Sequence, residues 1–200
     1  LLTSYAHVNL ARPVDVAVEE NGAHVLVADG VYSQIIAFHP LGRAAFVIPL
    51  RPNERERVLS VTHFALGADA LYVSDAACGC VARVARDGNV LETFGHQLIA
   101  QAGPIAVDRY QRVFVADQLD RTIKVFWHGK LIETVNAAGM GVVQLTDITT
   151  SGSVLVVADA GGARVYLMQI KPPPAMPSWL ASTPPTSRSS QPPRTPLLSY

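Results

Sequence analysis

Short apolar runs separated by polar turns recur along most of the chain, and one run in each repeat ends in an aspartate. Four runs have this form, and they occupy residues 25–29, 71–75, 113–117 and 155–159. Their terminal aspartates are 46, 42 and 42 residues apart. Recurrence at about 40 residues indicates a repeat architecture. None of the runs has the spacing of an amphipathic helix, so each is predicted to be a β-strand.

Each aspartate-terminated run has further apolar runs on both sides. One run precedes it, at 14–18, 62–66, 104–107 and 145–149. Another follows it, at 35–38, 81–84, 123–126 and 164–169, and three repeats add a fourth run, at 45–48, 90–94 and 131–135. Turn-forming pairs such as Asn21-Gly22 and Asp87-Gly88 separate them. Four short antiparallel strands per repeat predict an all-β fold, a β-propeller with one repeat per blade.

The first and third repeats carry the most specific sequence pattern. Residues 12–18, 25–29 and 34–38, followed by Gly42, resemble an NHL repeat, and residues 104–108, 113–117 and 122–126 with Gly129 repeat the pattern. The resemblance covers residues 13–170, although the first turn of the second repeat and the first strand of the fourth depart from it. WD40 repeats are the nearest rival, but no strand ends in a Trp-Asp pair. The resemblance implies a rigid propeller used for binding.

The number of blades leaves two architectures open. The fourth repeat has only three strands, and residues 1–5 align with the outer strand at 90–94, which places His7 on His96. An N-terminal strand added to the last blade would close a four-bladed ring without free sheet edges. NHL propellers commonly have six blades, so the chain would otherwise form part of a larger propeller. An open arc would expose apolar blade faces and favour self-association.

Composition divides the chain into two regions. Residues 171–200 hold 9 of the 14 prolines and no acidic residue, which gives this tail a charge of +3 and residues 1–170 a charge of −3. The tail is predicted to be a disordered Pro/Ser/Thr-rich segment and residues 1–170 the propeller. The formal net charge of zero argues against a nucleic-acid-binding protein. No apolar run is long enough for a membrane helix.

The resemblance to NHL propellers implies that one face carries the ligand or partner. The loops entering each innermost strand and those between the second and third strands share this face. It collects the candidate residues His7, Arg12, Asp15, Arg55, His63, His96, Arg121 and Asp147. Glu54 and Glu56 interrupt the arginines of the 51–57 loop, which further disfavours RNA as the partner.

Asp15, His63 and Asp147 occupy equivalent positions, where an innermost strand begins. Two carboxylates and an imidazole could hold a divalent cation or act as acid and base. Calcium held by Asp15 and Asp147 is the metal hypothesis, whereas a zinc site with three histidines lacks its ligands. Propeller lactonases and peptide-amidating lyases, which resemble NHL repeats, place metal ligands near such a channel. The alternative interpretation is polar residues that cap turns around a water-filled channel.

The recurrence of Asp29, Asp75, Asp117 and Asp159 favours a structural role over a catalytic one. A short carboxylate at a strand end can accept hydrogen bonds from backbone N–H groups of the next turn. The chain has two cysteines, in the sequence Cys78-Gly79-Cys80, too few for a disulfide scaffold or a four-thiolate zinc site. A disulfide, half of a metal site and ordinary loop thiols all remain open for this pair.

These observations predict a non-catalytic propeller that binds a protein, peptide or small ligand, without a required cofactor. The alternative is a propeller hydrolase or lyase, resembling the lactonases and amidating lyases, with its cation at the channel mouth. Family resemblance alone favours a location outside the cytoplasm.

Overall fold

The computed structural model describes residues 4–7, 9–50 and 60–173, and the fold is all-β. Four antiparallel sheets are arranged as a four-blade propeller, which confirms the architecture predicted from the repeats. In the described ranges the single helical segment is the 3-10 turn Ala138–Met140. No described helix is long and apolar enough to cross a membrane. Arg55 and most of the proline-rich tail lie outside the described residues.

Each sheet follows chain order from its innermost strand outward. Blade 1 contains β1 (Pro13–Val18), β2 (Val25–Asp29), β3 (Gln34–Phe38) and β4 (Ala44–Pro49). Blade 2 contains β5 (Val61–Leu66), β6 (Leu71–Asp75), β7 (Cys80–Val84) and β8 (Val90–Phe94). Blade 3 contains β9 (Ala102–Val107), β10 (Arg112–Asp117), β11 (Thr122–Trp127) and β12 (Lys130–Asn136). Blade 4 contains β13 (Leu145–Ser151), β14 (Val154–Asp159) and β15 (Arg164–Gln169).

The apolar core lies between neighbouring blades. The middle strands are buried on both faces, which explains why they read as unbroken apolar runs rather than as alternating ones. Leu26 and Ile35 of blade 1 share a cluster with Phe64 of blade 2. Equivalent clusters join blade 2 to blade 3 and blade 3 to blade 4.

A seam separates blade 4 from blade 1. In the described ranges no hydrophobic cluster joins these two blades. Val165 and Leu167 on β15 are 65% and 73% exposed, and Val16 and Val18 on β1 are 60% and 59% exposed. Blade 4 has three described strands, so the outer edge of β15 has no neighbouring strand there.

The N-terminal segment packs on blade 1 instead of blade 4. Residues 1–3 lie outside the description, and Ser4 and Tyr5 form no strand. The Tyr5 ring stands edge-on to Phe38 at 5.4 Å between centroids, and its hydroxyl donates to the Pro40 carbonyl at 3.2 Å. The described part of the expected closing strand therefore does not pair with blade 4. The physical reason is that Tyr5 covers the apolar face of blade 1 that no other blade covers.

Candidate functional site

A pairing irregularity near the start of each innermost strand places three of the candidate side chains. Asp15, His63 and Asp147 each come directly after a shift in strand register. A bulge of this kind changes the direction of the following side chain. The three residues consequently line one cavity of about 380 Å³ at the axis of the propeller, together with parts of all four innermost strands. In β9 the irregularity includes Pro104, which brings no titratable group.

The Asp15 carboxylate joins blade 1 to blade 2. Its Oδ2 accepts a hydrogen bond from the Phe64 N–H at 2.8 Å, and its Oδ1 accepts one from the Val16 N–H at 2.8 Å. Burial raises the pKa of Asp15 above its ordinary value, although these two bonds and His63 act in the opposite direction. The Asp147 carboxylate adds to the rise. Asp15 is therefore both a structural link and a member of the channel mouth.

Burial of His63 favours the neutral form of its imidazole. Burial lowers the pKa of its imidazole, against the opposing effect of Asp15 and Asp147. The Nδ1 atom is buried and has no hydrogen-bond partner among the described residues. Asp147 is exposed, and its Oδ1 accepts from the Ile148 N–H at 2.8 Å. Asp15, His63 and Asp147 are not among the described groups of three metal-ligating side chains whose ligand atoms lie within 4.8 Å of one another.

The four repeat aspartates join neighbouring loops at the end of the propeller where the channel mouth lies. Asp29 accepts four backbone N–H bonds, from Ala11 and Arg12 at 2.6 and 2.8 Å and from Val31 and Tyr32 at 2.8 Å each. Asp75, Asp117 and Asp159 make related contacts with the incoming and following loops. All four side chains are buried. Each carboxylate thereby fixes one loop entering a blade and one loop within it.

Acid is expected to destabilise the fold through two of these aspartates. Burial opposes ionisation of Asp29 and Asp159, but their backbone N–H bonds outweigh it, so both folded pKa values lie below the ordinary value. Their stabilisation is present above the unfolded pKa of about 3.9 and is lost as the pH falls through the folded pKa. Thermal unfolding between pH 7 and pH 2 should show this loss below about pH 4.

The matched variant for this prediction is Asp29→Asn. It should have a lower melting temperature than the wild type at neutral pH, and its melting temperature should fall less between pH 7 and pH 2. The raised pKa of Asp15 has the opposite sign, since its protonation favours the folded state. If the melting temperature of Asp29→Asn fell as far between pH 7 and pH 2 as that of the wild type, Asp29 would not contribute to the acid sensitivity.

The remaining described candidate residues make local contacts, with His7 and Arg12 in the segment before β1 and His96 and Arg121 in two other loops. Arg12 Nη2 donates to the Gly30 carbonyl at 3.1 Å, and His7 Nδ1 accepts from the Asn9 N–H at 3.2 Å. His96 Nε2 lies 3.0 Å from Thr93 Oγ1. Arg121 has a left-handed backbone (φ 53°), and its carbonyl accepts from the Ala138 N–H at 3.0 Å. The structure does not gather these four residues into one cluster with Asp15.

Apolar side chains on the loops are the feature that the sequence analysis missed. We call the described loops between blades and between the second and third strands of each blade the loop face. Six large apolar residues are exposed there: Val31, Tyr32, Leu98, Leu119, Met140 and Val143. The described loops of the opposite face have one, Leu41. The sequence does show these residues, because each is an apolar residue in a turn segment where polar residues are usual.

Charged residues dominate the opposite face, and several of them pair with each other. Arg86 Nη1 lies 3.3 Å from Glu19 Oε1, and Arg83 Nη2 lies 2.6 Å from Asp69 Oδ2. A second part of the axial cavity, of about 510 Å³, opens among Glu19, Arg86 and other residues of these loops. The two ends of the propeller axis therefore differ in chemistry, with exposed apolar groups at one end and ion pairs at the other.

The two cysteines form a disulfide that joins the loop between β6 and β7 to the first residue of β7. Cys78 and Cys80 are bonded, with their Cα atoms 5.2 Å apart. Cys78, Cys80 and the exposed His96 have ligand atoms that all lie within 4.8 Å of one another. Among the described residues this is the one such group of three or more metal-ligating side chains. The sequence analysis placed His96 on the binding face and left a metal site open for the cysteines, but it did not bring the three residues together.

No protein-family model matches the chain, and no curated protein matches it. Solved structures share the propeller fold at low identity. The computationally designed Ika4 protein is 16% identical with a TM-score of 0.56, covering 86% of this chain and 98% of its own. Inactive H270A virginiamycin B lyase from Staphylococcus aureus, crystallised with quinupristin, is 14% identical with a TM-score of 0.55, covering 82% and 57%. The WD40 domain of Neurospora crassa Pan2 is 11% identical with a TM-score of 0.60, covering 81% and 48%.

These similarities are of fold alone. The chain spans nearly the whole of the designed protein but only about half the length of the lyase and of the Pan2 domain.

Proposed function

We propose that the chain is a non-catalytic propeller that binds a protein or peptide on its loop face. The observation that carries the proposal is the set of six exposed apolar side chains on the described loops of that face. Tyr32 and Met140 belong to residue types enriched where proteins meet. An apolar loop surface held by rigid sheets is a typical binding site, because the sheets keep the loops in place before the partner arrives.

The backbone beneath this surface is fixed independently of the exposed side chains. Asp29 holds the N–H groups of Val31 and Tyr32, and Asp117 holds those of Ala100 and Gln101 in the loop that carries Leu98. Substitutions of the exposed side chains should therefore leave the loops in place. Binding can be tested without disturbing the fold.

At least one serine substitution on the loop face is expected to weaken binding by about 10-fold or more, since the few residues that dominate an interface each cost about 2 kcal/mol or more when truncated. A peptide library is first selected on the wild-type chain, and the affinity of an enriched peptide is measured by fluorescence anisotropy. The variants Tyr32→Ser, Leu98→Ser and Leu119→Ser sample three blades, and Arg121→Ala tests the charged rim.

Leu41→Ser is the matched control, because Leu41 is 84% exposed but lies in the β3–β4 turn of the opposite face. It should leave the affinity unchanged. Peptides that bind equally well to all three serine variants, or that lose affinity in Leu41→Ser, would contradict the proposal. Circular dichroism of each variant checks that the fold is retained.

The repeats themselves are proposed to be of the NHL type. Support comes from the sequence pattern of residues 12–38 and 104–126 together with the four-stranded blades into which they fold. The fold similarity extends to WD40 propellers, so this assignment depends on the sequence pattern.

A hydrolase or lyase with a divalent cation at the channel mouth is the second candidate function. It is favoured by the shared cavity of Asp15, His63 and Asp147 and by the buried, unpartnered His63 Nδ1 in the described region. Calcium titration of the wild type and of Asp147→Asn by calorimetry separates the candidates. Calcium binding lost in Asp147→Asn, together with turnover of a lactone or of quinupristin, would favour the enzyme.

Self-association is a further element of the proposal, since apolar side chains on both sides of the seam remain exposed. Light scattering across a concentration series tests it, and a constant monomer mass would contradict it.

A further inference from the structure

Two loops of the loop face meet where blade 2 joins blade 3. The first contains Cys78 and Gly79 and leads into β7, which begins at Cys80. The second connects β8 to β9 and contains His96. The sulfur atoms of the two cysteines and a ring nitrogen of His96 all lie within 4.8 Å of one another. Cys80 is buried, Cys78 is half-buried and His96 is exposed, so the group is open to solvent on one side only.

The backbone holds these two loops against each other. Gly79 has a φ of +58°, and a Cβ atom there would lie 2.7 Å from the Ile99 carbonyl oxygen. Glycine therefore permits the close approach. The second loop is closed by its own hydrogen bonds, from the N–H groups of Leu98 and Ile99 to the Gly95 carbonyl at 3.0 and 3.1 Å. The three side chains consequently project from segments whose positions do not depend on a bound ion.

Reduction would convert the pair of sulfurs into metal ligands. In the structure Cys78 and Cys80 form a disulfide, and it is the thiolate form of cysteine that binds metals. A dithiol such as dithiothreitol transfers two electrons and two protons to the sulfurs and becomes a cyclic disulfide. The protein then carries two thiols. Binding of a divalent cation releases both thiol protons to solvent, so charge and atoms balance.

We propose that reduced Cys78 and Cys80, together with His96, form a zinc site that disulfide formation abolishes. Two thiolates and one imidazole are a ligand set that zinc prefers, and ligand atoms around tetrahedral zinc stand roughly 3.5–3.8 Å apart. The His96 ring nitrogen already lies within 4.8 Å of both sulfurs. The sulfurs are bonded to each other in the disulfide, and reduction frees them to move apart to that separation by side-chain rotation. Three protein ligands leave the fourth position for water. The site is independent of the binding function, although it adjoins Leu98 on the same face.

Cobalt(II) is the probe, because thiolate ligation gives it a charge-transfer absorption. The full chain is reduced with dithiothreitol, which is then removed by gel filtration under argon. We expect the reduced chain to bind one cobalt ion, to release two protons and to lose the absorption when zinc is added. The oxidised chain should show none of these changes. Absence of one-to-one binding by the reduced chain would overturn the proposal.

Variants test each ligand separately. Cys78→Ser leaves one thiolate, so it should at least halve the thiolate absorption of the cobalt complex. His96→Gln should lower zinc affinity by at least about 100-fold, because removing a group that only supports a ligand already costs up to that much. His7→Gln is the control on another loop and should bind as the wild type does. Unchanged affinity in His96→Gln would remove the histidine from the site. A complex containing two chains per metal, seen by light scattering, would also overturn the proposal.

The redox control has its own test. Mass spectrometry of the chain before and after dithiol treatment should show a gain of two hydrogens on the peptide containing both cysteines. If the chain bound zinc with equal affinity before and after that treatment, the proposal that the disulfide abolishes the zinc site would be wrong.

Discussion

Replacing Asp108 with alanine is expected to lower the free energy of unfolding by about 3–5 kcal/mol, the usual cost of removing one partner of a buried ion pair. Asp108 Oδ2 lies 2.7 Å from Arg112 Nη2, and the side chains of the pair are 1% and 7% exposed. The other oxygen, Oδ1, accepts the N–H groups of Tyr110 and Arg112 at 2.9 Å each. Urea unfolding of the wild type and the variant measures the loss.

Arg112→Met should be the milder of the two single changes. It leaves Asp108 with both backbone N–H donors, whereas Asp108→Ala leaves a buried guanidinium without a carboxylate. Arg112 also lies over the rings of Tyr110 and Phe114, at 5.4 and 5.7 Å, and methionine retains apolar contact with them. The double variant should recover part of the loss because no unpaired charge remains. If both single variants lowered the free energy of unfolding equally, the backbone N–H bonds accepted by Asp108 would contribute little to stability.

Replacing Asp117 with alanine is expected to lower the free energy of unfolding by roughly 2–4 kcal/mol, since each hydrogen bond to a charged group contributes about 1.5–3 kcal/mol. The Asp117 carboxylate accepts the N–H groups of Ala100 and Gln101 at 2.8 and 3.1 Å. It also lies 4.0 Å from Lys124 Nζ, which is nearly buried. The same denaturation experiment measures the effect, and hydrogen exchange should locate faster exchange in the loop between β8 and β9.

Asp87→Ala is the matched control for Asp117. Asp87 also accepts a backbone N–H, from Asn89 at 3.0 Å, but it lies in an exposed turn of the opposite face. Its loss should lower the free energy of unfolding clearly less than the loss of Asp117 does, because substitutions at exposed positions have small effects. The loss of free energy of unfolding in Asp117→Asn should lie between the losses in Asp87→Ala and Asp117→Ala. The asparagine amide keeps one acceptor oxygen, but its NH2 group replaces the other oxygen and faces backbone N–H groups that are also donors. A loss in Asp117→Ala no larger than in Asp87→Ala would contradict a role in joining loops.

The channel mouth shows how far spacing along the chain predicts a site. Asp15, His63 and Asp147 recur at equivalent points of their repeats, which brings them to one end of the innermost strands. Their individual surroundings differ, because the bulge before each residue and the neighbouring blade decide which hydrogen bonds form. The bond from Phe64 N–H to Asp15 joins residues 49 positions apart. No local pattern specifies such a contact.

The cysteine and histidine group depends even more on tertiary structure. Cys80 and His96 are separated by a complete strand and its turns, and their approach follows from the packing of Gly79 on Ile99. The exposed apolar groups of the loop face are visible in the sequence as single residues. They lie on one face only because the blades present these loops on the same side.

The sequence by itself determined the strands, their grouping into four blades and the position of one aspartate at the end of each second strand. These features are local, since apolar runs and turn residues act within a few positions and the repeat supplies the rest. Only the tertiary structure decided the seam between blades 4 and 1, the packing of Tyr5 on Phe38 and the difference between the two faces. Those outcomes depend on which distant surfaces bury each other, and that competition is settled by packing across blades rather than by the residues of any one repeat.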